Sequence, residues 1–144
     1  MVDENVIAAK LAVLEGHIER VTRHRPGDAK SLGDDRDAFD LVSFNLMLAV
    51  QACVDIASHV IADQGWPPAT DLAEAFHRLH QQGAISGESG EALARAVGLR
   101  NVIAHVYAQT DPELVFQAAT SGIDALLRFS REIASWVRQQ SDRR

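Results

Sequence analysis

The chain has 144 residues, 47% of them hydrophobic and 24% charged, which suits one packed domain and excludes global disorder. A formal net charge of -6 and a sequence pI near 5.4 weigh against a broad basic surface for nucleic acid, while leaving room for a small cationic site. Cys53 is the only cysteine, so an intrachain disulfide and a cysteine metal cluster are excluded, and its apolar setting makes it a small core residue.

The opening stretch MVDENVIAAK is acidic and lacks the basic-then-apolar order of a signal peptide. Ile7, Leu11, Leu14, Ile18 and Val21 then recur at spacings of four and three, the stripe of an amphipathic helix. RHRPGDAKSLGDD breaks that pattern with Pro26, Gly27 and Gly33 and reads as a polar connection. Asp34 or Asp35 is placed to cap a long helix over 36–64, in which Phe39, Val42, Leu46, Ala49, Cys53, Ile56 and Val60 step by threes and fours. Gly65 ends this helix and Pro67 and Pro68 forbid its continuation. Ser43, Asn45, Gln51 and Asp55 interrupt its apolar run, which argues against a membrane span and for a soluble, cytoplasmic protein.

A shorter helix starts at Thr70, with Asp71 and Glu74 near its positive end and Leu72, Ala75, Phe76 and Leu79 as its buried face. After the turn QQGAISGESGE, helix returns from about Glu88 through EALARAVGLRNVIAHVY. Gly98 is a weak point there, costing about 1 kcal/mol against Ala in mid-helix. Asp111 as N-cap and Pro112 as first residue open the last helix, which carries Val115, Ala118, Gly122, Ile123, Leu126, Ile133 and Val137. Its polar end, 138–144, is expected to fray. No stretch alternates as a strand would. The prediction is an all-α, antiparallel up-and-down bundle of four long helices plus one short helix, forming a single domain over 1–144.

Chemistry concentrates in GLRNVIAHVYAQTD, residues 98–111, where Arg100, Asn101, His105 and Tyr107 stand among Val102, Ile103, Ala104 and Val106. On an ideal helix Arg100 and Tyr107 share a face, and Asn101 and His105, four apart, share the adjacent one and are in reach of a hydrogen bond. Arg100 and His105 differ by about 140° and about 7.5 Å along the axis. They converge only if the helix loosens near 104–107, or if a second copy supplies partners across a two-fold axis. These residue types suit metal-independent RNA cleavage, in which the 2′-hydroxyl is the nucleophile. An imidazole moves protons near neutral pH, and a guanidinium stabilises charge on the phosphate oxygens. Asn101 can orient the imidazole or bind phosphate. The competing reading makes Arg100 a surface charge, His105 a satisfied imidazole and Tyr107 a core edge.

Other histidines are weaker candidates. His77 and His80 lie three apart on one face without an accompanying acidic zinc-protease pattern, so a solvated face is expected and no metal site is assigned. Asp55 and His59, four apart on the long helix, are placed either to pair structurally or to support a site. His17 and His24 belong to no constellation.

Arg100, four residues, His105, one residue, Tyr107, with Asn101 directly after the arginine, resembles the motif of the HEPN superfamily, and specifically the HepT-like toxins. GLRN before the motif, TDPELVFQA after it and NLMLAVQACVDIASHVI in the long helix extend the likeness over roughly residues 5–137. The resemblance implies a helical homodimer whose two motifs face one cleft, so that the second copy resolves the angular problem above. It implies a metal-independent endoribonuclease without a cofactor, the toxin of a type VII-like toxin–antitoxin pair. Arg100 and His105 would be catalytic, with Asn101 and Asp55 supporting. It also implies a minimal nucleotidyltransferase antitoxin of the MntA kind that transfers AMP to the motif tyrosine, by position Tyr107, the only tyrosine in the chain. Added AMP would bring bulk and negative charge where RNA phosphate should bind. Two alternatives from other classes remain: a non-catalytic substrate or scaffold of the nucleotidyltransferase, and a nucleotide-binding bundle in which Arg100 holds a phosphate.

Overall fold

The structure, a computed structural model, describes residues 3–143. Helix α1 spans Glu4–His24, α2 Ala29–Asp34, α3 Arg36–Gln64, α4 Leu72–Gln81, α5 Gly87–Val106, α6 Pro112–Gln117 and α7 Ile123–Asp142. The helix starts are fixed by side chains that accept otherwise unpaired N–H groups. Asp35 accepts from the Ala38 N–H at 3.1 Å, Asp71 from Glu74 at 2.8 Å, Ser86 from Ser89 at 3.1 Å and Asp111 from Glu113 at 2.9 Å. Gly65 closes α3 with φ of 67°, a left-handed conformation that glycine adopts without steric cost.

The bundle is all-α, as expected, with α1, α3, α5 and the α6–α7 rod as its four long members and α4 as the short one. Two details differ. The polar connection after α1 contains α2, because Asp28 caps it at Ser31 (2.7 Å) and Leu32 is fully buried. Its Gly33 lies so close to Pro112 that a Cβ would sit 3.0 Å from Pro112 Cγ, which seats α2 against α6. The last helix is also not uniform. A π-helical turn over Ala118–Gly122 joins α6 to α7, and Arg25, just beyond α1, donates to the Ala119 carbonyl within it. α7 continues as helix through residues 138–142, where fraying was expected, and Arg144 lies outside the described residues.

α3 is the central member. By length and apolarity it could cross a membrane, but 61% of its apolar window is buried inside the protein, as befits a core helix. α1 runs along it, and α4, α5 and α7 close around its other sides. Val42, Ala49, Cys53, Ile56 and Val60 are fully buried, and the Cys53 thiol is held far above its usual pKa by that burial. Phe76 on α4 meets Phe129 on α7 edge-on at 5.7 Å. Each large apolar side chain so buried contributes about 1.5–3 kcal/mol. His17, which the sequence left without partners, pairs across the α1–α3 seam: its Nδ1 lies 3.1 Å from Asn45 Oδ1, while Asn45 donates to the Leu41 carbonyl at 2.9 Å.

Candidate functional site

α3 and α5 run antiparallel, and their shared seam organises the motif. Arg100, on the last turns of α5, donates from Nη2 to Gln51 Oε1 on α3 at 2.8 Å and from Nη1 to Asn101 Oδ1 at 2.9 Å. Gln51 in turn donates to Asp55 Oδ1 at 3.2 Å. The guanidinium is therefore fixed by two neutral amide oxygens, and Asp55 acts on it only through Gln51, whose amide it orients. A cation held by neutral acceptors keeps its full charge for an incoming anion, whereas a directly paired carboxylate would cancel it. Arg100 Nε is shielded from solvent and has no hydrogen-bond partner among the described residues; Nη1 and Nη2 each carry a second N–H beyond the one given to Asn101 or Gln51.

Asp55 thus joins the site by a route other than pairing with His59. The Asp55–His59 pair does not form: Asp55 is exposed and takes Gln51, while His59 Nε2 lies 3.0 Å from Asp63, one turn further along α3. Nor do Asn101 and His105 bond; Asn101 Oδ1 accepts from Arg100 instead. His105 is exposed and makes no hydrogen bond or ion pair with the described residues, so its imidazole is open to a substrate or to a second subunit.

The helix breaks at Val106, with φ of -134° and ψ of 40°, and Tyr107–Gln109 form a 3-10 turn. The turn is held by Thr110, whose N–H bonds the Tyr107 carbonyl at 3.1 Å and whose hydroxyl bonds the Val106 carbonyl at 3.2 Å. The break falls one residue beyond His105, so it leaves Arg100 and His105 on regular helix and does not bring them together.

What the break does is turn Tyr107 onto the start of α3. Its ring packs on Phe39 at 5.5 Å, and the Arg36 guanidinium lies over it at 5.1 Å from the ring centre. Its hydroxyl donates to Asp40 Oδ1, the same oxygen that Arg36 Nε approaches at 3.1 Å. Burial, followed by the Asp40 hydrogen bond and charge, pushes the phenol up to about 12, with Arg36 opposing, so it is un-ionised at neutral pH. Gln51, Asp40 and Arg36 were missed in the sequence. The available signal was their spacing: Asp40, Phe44, Met47, Gln51 and Asp55 step by four, three, four and four along one face of α3.

The surroundings of the motif are apolar yet open. Phe44 (55% exposed), Val102 (40%), Val106 (45%) and Leu114 (49%) are large hydrophobic side chains facing outward, two of them inside the motif. A groove of about 630 Å³ bounded by α3, α5 and the α6–α7 rod has Met47, Val50, Arg100, Val102 and Leu114 in its lining. Elsewhere, His80 Nδ1 lies 3.3 Å from the Ile85 carbonyl in the α4–α5 turn and His77 is solvated; among the described residues no three His, Cys, Asp or Glu side chains cluster as metal ligands.

A helical bundle that presents an arginine, an imidazole and a half-buried tyrosine at one helix end has the arrangement that the HEPN resemblance implies. The family model described as Ribonuclease HepT-like matches residues 14–133, and the chain belongs to that family. It is 26% identical over 125 residues to the mRNA nuclease HepT of Shewanella oneidensis, covering 87% of this chain and 93% of that protein. It is 27% identical over 132 residues to the tRNA nuclease HepT of Aphanizomenon flos-aquae, covering 87% and 90%. Among solved structures, the tri-AMPylated Shewanella oneidensis HEPN toxin in complex with MNT antitoxin superposes with a TM-score of 0.83 at 27% identity, covering 94% of this chain and 99% of that one.

Proposed function

We propose that this protein is a metal-independent endoribonuclease, the toxin of a type VII-like toxin–antitoxin pair, working in the cytoplasm as a single-domain homodimer. The observation that carries the reading is the state of Arg100, oriented by the amide oxygens of Gln51 and Asn101 and in no ion pair with a carboxylate among the described residues. It would hold the scissile phosphate and the charge that grows on its oxygens as the neighbouring 2′-hydroxyl attacks phosphorus. His105 moves protons: it takes the 2′-hydroxyl proton, or returns one to the 5′-oxygen as that bond breaks, leaving a 2′,3′-cyclic phosphate. The two groups diverge by about 140° on regular helix, so in this reading each phosphate draws on groups from both subunits. Two copies meeting through exposed Phe44, Val102, Val106 and Leu114 would complete the site, and burying these side chains would favour that pairing.

Tyr107 is the proposed acceptor of AMP from an MntA-like nucleotidyltransferase, in keeping with the AMPylated, antitoxin-bound state of the structural relative. A nucleotide there adds phosphate charge beside the RNA site and silences it. The test is cleavage of RNA in excess chelator by the parent, Arg100→Ala and His105→Ala. Cleavage by the parent, lost in both variants, is expected. Equal cleavage by all three, or none by the parent, overturns the assignment.

A further inference from the structure

Tyr107 poses a problem that the RNA site does not solve. Its phenol is un-ionised at neutral pH, and a neutral phenol attacks phosphorus only if something takes its proton as the new bond forms. The residue that already holds that proton in a hydrogen bond is Asp40, one turn into α3. Arg36 shares the same carboxylate oxygen and stacks over the tyrosine ring, so it stands beside any group attached to the hydroxyl. Both side chains are more than half exposed, and the corner is accessible to a partner carrying a nucleotide.

We propose that Asp40 is the proton acceptor, and Arg36 the phosphate-holding cation, for nucleotidyl transfer to Tyr107. The proposal rests on the modification of Tyr107 put forward above. The tyrosine oxygen attacks the α-phosphorus of ATP, forming the tyrosyl O–P bond. The bond from that phosphorus to the bridging oxygen of the β-phosphate breaks, and pyrophosphate leaves with the electron pair. The phenol proton passes to Asp40 Oδ1 and from there to water. Once Asp40 is protonated its hold on Arg36 weakens, and the guanidinium turns to the new phosphodiester, which carries one negative charge. Transfer thus exchanges the Arg36–Asp40 pair for an Arg36–phosphate pair, and the same two residues prepare the reaction and hold its product.

The test follows AMP incorporation by intact mass, using the purified chain, ATP and an MntA-like nucleotidyltransferase, for the parent, Asp40→Asn, Arg36→Gln and Tyr107→Phe. Asp40→Asn should slow transfer at neutral pH by about a hundredfold or more. Its rate should recover as pH rises and the phenol ionises unaided, a recovery that loss of a purely structural contact would not give. Asp40→Glu should restore part of the neutral rate, and Arg36→Gln should slow transfer about tenfold by losing one charge-assisted contact. Circular dichroism checks that each variant is folded. Transfer to folded Asp40→Asn at the parent rate overturns the proposal alone. No AMP on the parent, or AMP on Tyr107→Phe, overturns the modification reading beneath it.

Discussion

Removing the Asp40 charge should shift the titration of Tyr107 by an amount that the structure bounds. The phenol stands at about 12 against an ordinary 10.0, raised first by burial and then by the Asp40 hydrogen bond and charge. Asp40→Asn leaves the burial in place and removes the charge, so the midpoint should fall part of the way from 12 toward 10.0 and stop short of it. Arg36→Gln removes a neighbour that favours the phenolate and should move the midpoint the other way. A folded-state value above the unfolded one means the native state holds its proton longer, so the contribution is complete below pH 10 and disappears between pH 10 and 12. Two units correspond to ~2.7 kcal/mol. Water around a half-buried ring screens part of this, leaving about 1–2 kcal/mol. Phenolate absorbance reads the midpoint without ambiguity because the chain has a single tyrosine, and its tryptophans do not ionise in this range. Helicity recorded in the same titration shows that the chain is still folded. A folded parent that titrates at the ordinary value, or an Asp40→Asn variant that matches the parent, would refute the reasoning.

Gln51→Leu should lower kcat for RNA cleavage roughly ten- to a hundredfold, the equivalent of a hydrogen bond to a charged group worth about 1.5–3 kcal/mol. Gln51→Glu should fail to restore it although carboxylate is the stronger acceptor, because it would cancel the Arg100 charge; full activity in Gln51→Glu would contradict the neutral-acceptor argument. Val106→Lys places a charge on the proposed two-fold face and should yield monomers by light scattering, with cleavage lost in parallel. Phe76→Ala empties a fully buried site against Phe129 and should cost about 3–5 kcal/mol in denaturant unfolding.

The helical class, the long central α3 and the location of the motif are legible in the amino-acid sequence alone. Apolar spacing reports which side of a helix is buried, and Asp35, Gly65, Asp111 and Pro112 act on backbone groups within a few residues of themselves. It missed α2, whose burial depends on Leu32 and on Pro112 eighty residues away in the chain, and the π turn, whose carbonyl is taken by Arg25 from beyond α1. For the candidate site it pointed to Arg100, His105 and Tyr107, and it left open an Asp55–His59 pair that the structure does not form. That Arg100 faces Gln51, and Tyr107 faces Asp40 and Arg36, emerges from the packing of α5 on α3. The physical reason is that periodicity fixes an angle about one helix axis. Which residue of a neighbouring helix meets that face depends on the register and tilt of two packed rods, set jointly by side chains along the whole seam.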